Sequence, residues 1–378
     1  MLSCTSLTMA SAALVGFRLA PDPSQATLPL GLIYLSVMLT MIPASLLMKK
    51  YGRRVGFAIG GCAAVVSGGV SFYGILVSSF PIFCTGTAIF GISSGFAHYY
   101  RFAAAEVSSE SYKSRAISWV LAGGLIAAFI GPNLANLTKD VIPDAMFAAS
   151  FASISLFGLG VIIIQLFIRI PLPSSEESSG EKRPLSFILT RPVFLVAVLC
   201  AMIAYATMNL LMTATPLAMH HHGMEFGDTA MVIQWHLVGM FAPSFFTGHL
   251  IHRFGVLKIM FTGAFILICC AIVPLAGENF NHFLLGLILL GIGWNFLYIG
   301  GTTLLTEVYK PAEKGVVQGC NEFLVFSATA LTAMTSGYLH HTLGWSILNQ
   351  MTIPLICFAA LIIAFLGWQS KTSRLRTV

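Results

Sequence analysis

The chain has 378 residues, 57% of them hydrophobic and only 9% charged, and its mean hydropathy is +0.86. A soluble domain carries about a quarter charged residues, so a water-covered globule of this size is excluded, and hydrocarbon is the solvent for most of the surface. The net charge of +6 therefore matters through its placement along the chain, and no nucleic-acid partner is expected.

A helix needs about 20 residues to cross about 30 Å of hydrocarbon. Runs of that kind are expected at 2–19, 28–48, 55–77, 82–105, 116–138 and 146–169, then at 192–215, 228–251, 259–277, 283–305, 316–338 and 346–368. The first lacks a basic leader region and a small-residue cleavage site, so it reads as a spanning helix rather than a removed signal. Between the two sets of six lies the one long polar run, PLPSSEESSGEKRPLSFILTR, at 171–191. The expected organisation is a bundle at 1–170, a linker at 171–191 and a second bundle at 192–378 with a short tail. The fold class is all-α and polytopic, with twelve transmembrane helices in two pseudo-symmetric six-helix bundles. The eight cysteines show no CxxC spacing and lie in apolar runs, where they act as small hydrophobes; no metal and no cofactor is expected.

Lys and Arg orient the spans. With the N-terminus inside, seventeen of the twenty fall in inside segments; Arg18 and Lys139 fall outside, and Arg101 lies within a helix. Both termini and the linker are thus expected in the cytoplasm of a bacterial cell, the chain sitting in the inner membrane. Two internal echoes point to duplication. SLLMKKYGRR (45–54) matches GHLIHRFGVLK (248–258) at an offset of about 203, and GISSGFAHYYRFAAAE from Gly91 matches GIGWNFLYIGGTTLLTE from Gly291 at about 200.

These residues resemble the major facilitator superfamily of secondary transporters. Its motif after the second helix is matched by Ser45, Lys49, Lys50, Gly52, Arg53 and Arg54, with a second copy at Gly248, His252, Arg253, Gly255 and Lys258. Gly131-Pro132 resembles the fifth-helix signature of the family's antiporters. The resemblance covers essentially the whole chain and implies two six-helix bodies around a cavity that opens alternately to either side. Two departures stand out. Lys49 and His252 occupy the position of the motif's acid, so the latch that acid makes would be borrowed from Glu106 or Glu307, and Asn, Leu and Ala follow Gly131-Pro132 where glycines are usual.

Polar groups inside apolar helices are costly and mark cavities or partners. His98 and Arg101 share a face of the fourth span and are expected either to line the cavity or, for Arg101, to snorkel to a helix end. In the seventh span Asn209 and Thr213 lie just before Pro216, which is expected to end the helix; His220–His222 follow as a solvated loop without carboxylate partners. Gln234 and His236 in the eighth span, and Trp294, Asn295 and Tyr298 in the tenth, are the other cavity candidates. The Trp294-Asn295-Tyr298-Thr302 stripe suits stacking on a ring-shaped solute. Glu322, Glu106 and Glu307 are candidates for proton coupling or a gate. The expected function is secondary active transport of a small organic solute, proton-coupled, by a monomer in the bilayer. The absence of a P-loop sequence argues against an ATP-driven pump. An uncoupled facilitator, a polytopic enzyme or receptor, and a non-transporting scaffold stay open as alternatives. The few intramembrane charges favour a neutral or weakly charged, partly hydrophobic compound such as a drug, a vitamin or a siderophore-like metabolite.

Overall fold

The computed structural model describes residues 1–100, 103, 104, 107, 113–168, 170 and 183–375. Arg101, Glu106 and most of the expected linker (171–182) lie outside the described residues. Every regular element among those described is helical.

The first half holds α1 (Leu2–Leu19), α2 (Leu28–Tyr51), α3 (Arg53–Leu76), α4 (Phe80–Ala97), α5 (Lys113–Thr138) and α6 (Ala148–Phe167). A short helix, α7 (Leu185–Leu189), closes the linker. The second half holds α8 (Pro192–His221), α9 (Phe226–Phe241), α10 (Ser244–Phe254), α11 (Val256–Ile272), α12 (Phe280–Thr306), α13 (Lys314–Gln350) and α14 (Thr352–Leu375). Among the described residues, nine helical segments are long and apolar enough to cross a membrane. Large apolar side chains such as Phe167, Leu137 and Leu361 face outward at 81%, 77% and 68% exposure. Apolar surface on that scale needs lipid around it. The protein is a multi-pass membrane protein.

Three boundaries differ from the sequence expectation, and proline or glycine chemistry explains each. The eighth span is two helices, because Pro243 has no N–H for the Gly239 carbonyl and its ring crowds that oxygen. Pro216, by contrast, does not end its helix: α8 runs on to His221. Packing on all sides holds the turn around Pro216, where residues 207–219 are all buried, and such surroundings let proline persist in membrane helices. The last two spans run together through α13, which bends at Gly344, where φ is 79° and ψ 171°.

Within the first half, α3 packs on α4 and α6, α2 on α4, and α1 on α5; within the second, α12 packs on α8, α9 and α11, and α8 on α13. Helix association in lipid depends on close van der Waals approach and interhelical hydrogen bonds. Small residues provide the approach. A Cβ on Gly86 would come 2.7 Å from the Ser71 nitrogen, and one on Gly263 2.7 Å from the Leu297 nitrogen. Hydroxyls provide the bonds: Ser93 donates to the Gly60 carbonyl at 2.7 Å, and Ser336 to that of Leu210 at 2.7 Å.

The two turns recognised as an internal echo have the same backbone. Gly52 (φ 89°, ψ 158°) ends α2 and starts α3; Gly255 (φ 89°, ψ 147°) ends α10 and starts α11. A side chain at that φ is strained, which is why glycine stands at both corners. These corners mark what we call the basic end of the molecule; the opposite end is the far end.

Candidate functional site

An aromatic cluster sits between the ends. Trp294 and Tyr298 are four residues apart on α12 and so share a face; their rings stack at 5.0 Å and 18°. Tyr205 of α8 stands edge-on to both, at 5.1 Å to Trp294 and 4.7 Å to Tyr298. Phe326 of α13 reaches Tyr205 at 6.0 Å, and His98, at the end of α4, reaches Phe326 at 5.1 Å. The chain of rings therefore crosses from the second half to the first. At 1.5 Å per residue, Tyr205 lies about 20 Å along α8 from its basic-end start, close to mid-depth.

Several polar atoms on α8, α9 and α12 are buried with no partner among the described residues. They are Thr207 Oγ1, Asn209 Oδ1, Thr213 Oγ1, Trp294 Nε1 and His236 Nε2. Each unsatisfied buried group costs about 1–3 kcal/mol, so a cluster of them needs a reason. Tyr205, Asn209 and Thr213 follow at i, i+4 and i+8 on one face of α8. Asn209 spends its Nδ2 on the Thr329 carbonyl at 3.0 Å, which leaves its oxygen as a fixed acceptor. His236 is fully buried, and its Nδ1 meets the Leu287 carbonyl at 2.8 Å. A carbonyl only accepts, so the proton is on Nδ1 and Nε2 is a bare acceptor.

Other expected cavity residues are used differently. Asn295 is fully buried and all its bonding is structural: Nδ2 donates to the Met240 carbonyl and to Ser244 Oγ, both at 2.7 Å, and Oδ1 accepts from Thr247 Oγ1 at 2.7 Å. It ties α12 to α9 and α10 at their break and does not line a cavity with Trp294. Thr302 donates back to the Tyr298 carbonyl at 2.9 Å. Gln234 accepts from Asn133 Nδ2 at 2.6 Å, a bond from the second half to the first. Glu322 is half-buried, one turn before Phe326, while Glu307 is exposed at the end of α12.

At the far end the halves meet. Besides Asn133–Gln234, Phe147 and Phe226 pack edge to face at 4.8 Å, the Gly337 N–H donates to Thr27 Oγ1 at 2.9 Å, and Phe17 packs on His220 at 5.7 Å. Gly131 lies in the α1–α5 contact of the first half, against the start of α1, where a Cβ would meet the Ser3 carbonyl oxygen at 2.5 Å and the Leu7 nitrogen at 2.6 Å; Pro132 follows inside the same helix. Here too is a cavity of about 810 Å³ lined by His220, His221, His222, His340, His341 and Glu278 among others. The histidine run is thus not a loop without a carboxylate. His220 and His221 form the last turn of α8, and His222 Nε2 meets Glu278 Oε2 at 2.9 Å.

At the basic end, Arg53 lies over the Tyr99 ring at 5.4 Å, and Arg54 donates to the Leu166 carbonyl at 3.5 Å. Lys50 and Arg253 each lie over the neighbouring ring, Tyr51 and Phe254. The linker, read as free of chemistry, ends in a clamp. Arg183 donates through Nε and Nη2 to the two oxygens of Glu313 at 2.9 and 2.6 Å, its backbone N–H adds a third bond at 2.8 Å, and Glu313 is only 3% exposed. These donors hold the Glu313 carboxyl far below the usual carboxylate range.

Tyr205, Phe326, Asn133, Glu278 and the Arg183–Glu313 pair escaped the sequence reading. Tyr205 had a usable signal in its four-residue spacing from Asn209. Phe326 is one of 29 phenylalanines and had none.

Comparison with known proteins agrees with this architecture. The family model described as Major Facilitator Superfamily matches residues 1–241 and 197–377. The chain is 42% identical to the riboflavin transporter RfnT of Brucella anthropi over 91% of its own length and 87% of that protein's. It is 27% identical to the uncharacterised MFS-type transporter YdeG of Bacillus subtilis, over 92% and 86% of the two chains. Among solved structures, the xylose transporter XylE from E. coli, in a partially occluded inward-open conformation, superposes with a TM-score of 0.71 at 13% identity over 96% and 94% of the chains. The transporter FucP in its outward conformation gives 0.55 at 17% identity over 96% and 97%. At such identities these two likenesses speak to the fold.

Proposed function

This chain belongs to the Major Facilitator Superfamily and transports a small solute, and we propose that the solute is riboflavin or a close flavin analogue bound at the Tyr205–Trp294–Tyr298 cluster. The carrying observation is that cluster: stacked rings at mid-depth on helices that also bury polar atoms with no partner among the described residues. A flavin presents a flat heteroaromatic ring system and an imide edge with one N–H donor between two carbonyl acceptors. The rings suit the flat face, with stacking worth about 1–3 kcal/mol per ring system. Asn209 Oδ1 is the acceptor for the imide N–H, and Trp294 Nε1 and the Thr213 hydroxyl are donors for its carbonyls. No charge is required, in keeping with a site of neutral groups. The relative of 42% identity that is named a riboflavin transporter supports the same substrate.

Movement follows from the layout. Residues 1–170 and 192–378 act as two bodies joined by 171–191, and they rock about the bound solute. The contacts from Phe17, Thr27, Asn133 and Phe147 form the closure at the far end, with Gly131-Pro132 as its pivot and the Gly52 and Gly255 corners, with Lys50, Arg53, Arg54 and Arg253, shaping the basic end. The distribution of Lys and Arg supports cytoplasmic termini in a bacterial inner membrane. Glu322, one turn from Phe326, is the carboxylate placed to couple a proton to the occupied site. The chain works as a monomer.

The test is uptake of riboflavin, read by its fluorescence, into proteoliposomes of the purified protein. Tyr205→Ala and Trp294→Ala are each expected to weaken binding roughly 5- to 150-fold, while Tyr205→Phe retains it. Protein that folds but neither binds nor moves riboflavin sinks the substrate assignment. Uptake that is unchanged by an uncoupler and by Glu322→Gln leaves a facilitator without proton coupling.

A further inference from the structure

The far-end cavity plays no part in solute binding as described, yet it concentrates titratable groups at the seam between the halves. Three imidazoles come from the end of α8 and two, His340 and His341, from α13 just before the Gly344 bend. His340 lies within electrostatic range of His221, His222 and His341. Glu278, between α11 and α12, faces His222 at 2.9 Å. From the first half, Asp22 faces His341; its carboxyl is held low chiefly by the Ser24 N–H, then by the Ser24 hydroxyl, with His341 adding to that. Of the remaining charged or titratable groups on these elements, His282 bonds to Asn279 in the α11–α12 loop at 2.8 Å, Arg18 lies in the last turn of α1, and Glu225 and Asp228 head α9.

We propose that this cavity is a proton-operated latch, in which neutral imidazoles keep the far-end seam closed and protonated ones loosen it. Each proton taken up adds positive charge among imidazoles that already lie close together, against the two carboxylates of Glu278 and Asp22. The surplus drives the ends of α8 and α13 apart and draws water between them. The end of α13 carries Gly337, whose N–H bonds Thr27 across the seam, so displacing it breaks a closure contact, and Gly344, at φ 79°, supplies the backbone freedom for the displacement. Asp22 works the other way, since it attracts a protonated His341 across the seam. Histidine is the side chain whose charge changes nearest neutral pH, which makes acidification the trigger. The latch rests on the two-body movement proposed above, though not on the identity of the solute.

Electron–electron resonance on the full chain in nanodiscs tests it. Nitroxides are placed at Val141→Cys and Leu275→Cys, both exposed at the far end, with the exposed Cys62 and Cys357 replaced by Ser. Lowering the pH from about 7.5 to 5.5 is expected to raise the longer-distance population at least threefold. His222→Gln/His340→Gln/His341→Gln abolishes that response, and Asp22→Asn moves its midpoint to higher pH. A pH-independent distance, or a response that survives the triple substitution, overturns the latch. If the triple variant does not fold, Asp22→Asn decides, and an unchanged or lower midpoint overturns it. The same labelled protein is also read with riboflavin at pH 7.5. A distance change there, with none on acidification, refutes the latch alone; no change in either condition refutes the two-body movement as well.

Discussion

Gly131→Ala probes the packing of α1 on α5 within the first half. The added Cβ would overlap Ser6 Oγ and would stand 2.5 Å from the Ser3 oxygen and 2.6 Å from the Leu7 nitrogen, whereas ordinary contact begins near 3.4 Å. The hydroxyl can rotate away, at the expense of its 2.7 Å bond to the Ala127 carbonyl. The two backbone atoms cannot, so α1 and α5 must part by about 0.9 Å. Overpacking of that kind costs about 1–3 kcal/mol. Any part of that strain that differs between the two conformations shifts their balance about tenfold per 1.4 kcal/mol. The assay pairs thermal unfolding with riboflavin uptake for Gly131→Ala, Ser6→Ala and the double variant. Ser6→Ala should relieve only the hydroxyl overlap, so the double variant should stay impaired. Full recovery in the double variant, or a Gly131→Ala protein with normal stability and uptake, would show that backbone proximity is not what the glycine protects.

Two further substitutions separate scaffold from site. Asn295→Leu strands the Met240 carbonyl and removes a partner of the Ser244 hydroxyl, while Thr247 keeps its bond to the Pro243 carbonyl, so it should lower stability by about 1–3 kcal/mol and leave riboflavin affinity unchanged in a titration. Asn209→Leu should weaken binding about tenfold (about 1.4 kcal/mol) through its lost oxygen, and any loss of stability should be confined to the single bond from its Nδ2 to the Thr329 carbonyl. At the linker, the carboxyl of Glu313 is depressed below its ordinary value of 4.5 by Arg183. Its contribution is therefore fully present above that value and is lost only as pH falls through the lower folded value. Melting curves should show a constant deficit for Glu313→Gln from pH 5 to 8, shrinking below about pH 4; a deficit that grows on acidification contradicts the clamp.

The polar atoms named from sequence were legible because a polar side chain in hydrocarbon is conspicuous whatever surrounds it. What each one does was not legible. Asn209 and Asn295 read alike in sequence, each an amide in an apolar helix. One keeps a bare oxygen beside Tyr205, and the other is consumed by three bonds at the α9–α10 break. The Arg183–Glu313 clamp joins residues 130 positions apart, beyond any periodicity. Pro243 broke its helix and Pro216 did not, although the same missing N–H is at issue in both. The difference lies in what packs around each turn.

Composition and charge placement by themselves determined that the chain lives in a membrane as a series of apolar helices, and that its halves echo each other. These follow from local quantities: the free energy of moving each side chain into hydrocarbon, the length of a spanning helix, and the backbone freedom that Gly52 and Gly255 must have. Tertiary structure alone decided which rings meet, which buried atoms are left without partners, and where histidines from two distant segments share a cavity with Glu278. Those outcomes depend on the rotation and depth of each helix against its neighbours. Interhelical packing sets both, and no single helix encodes them.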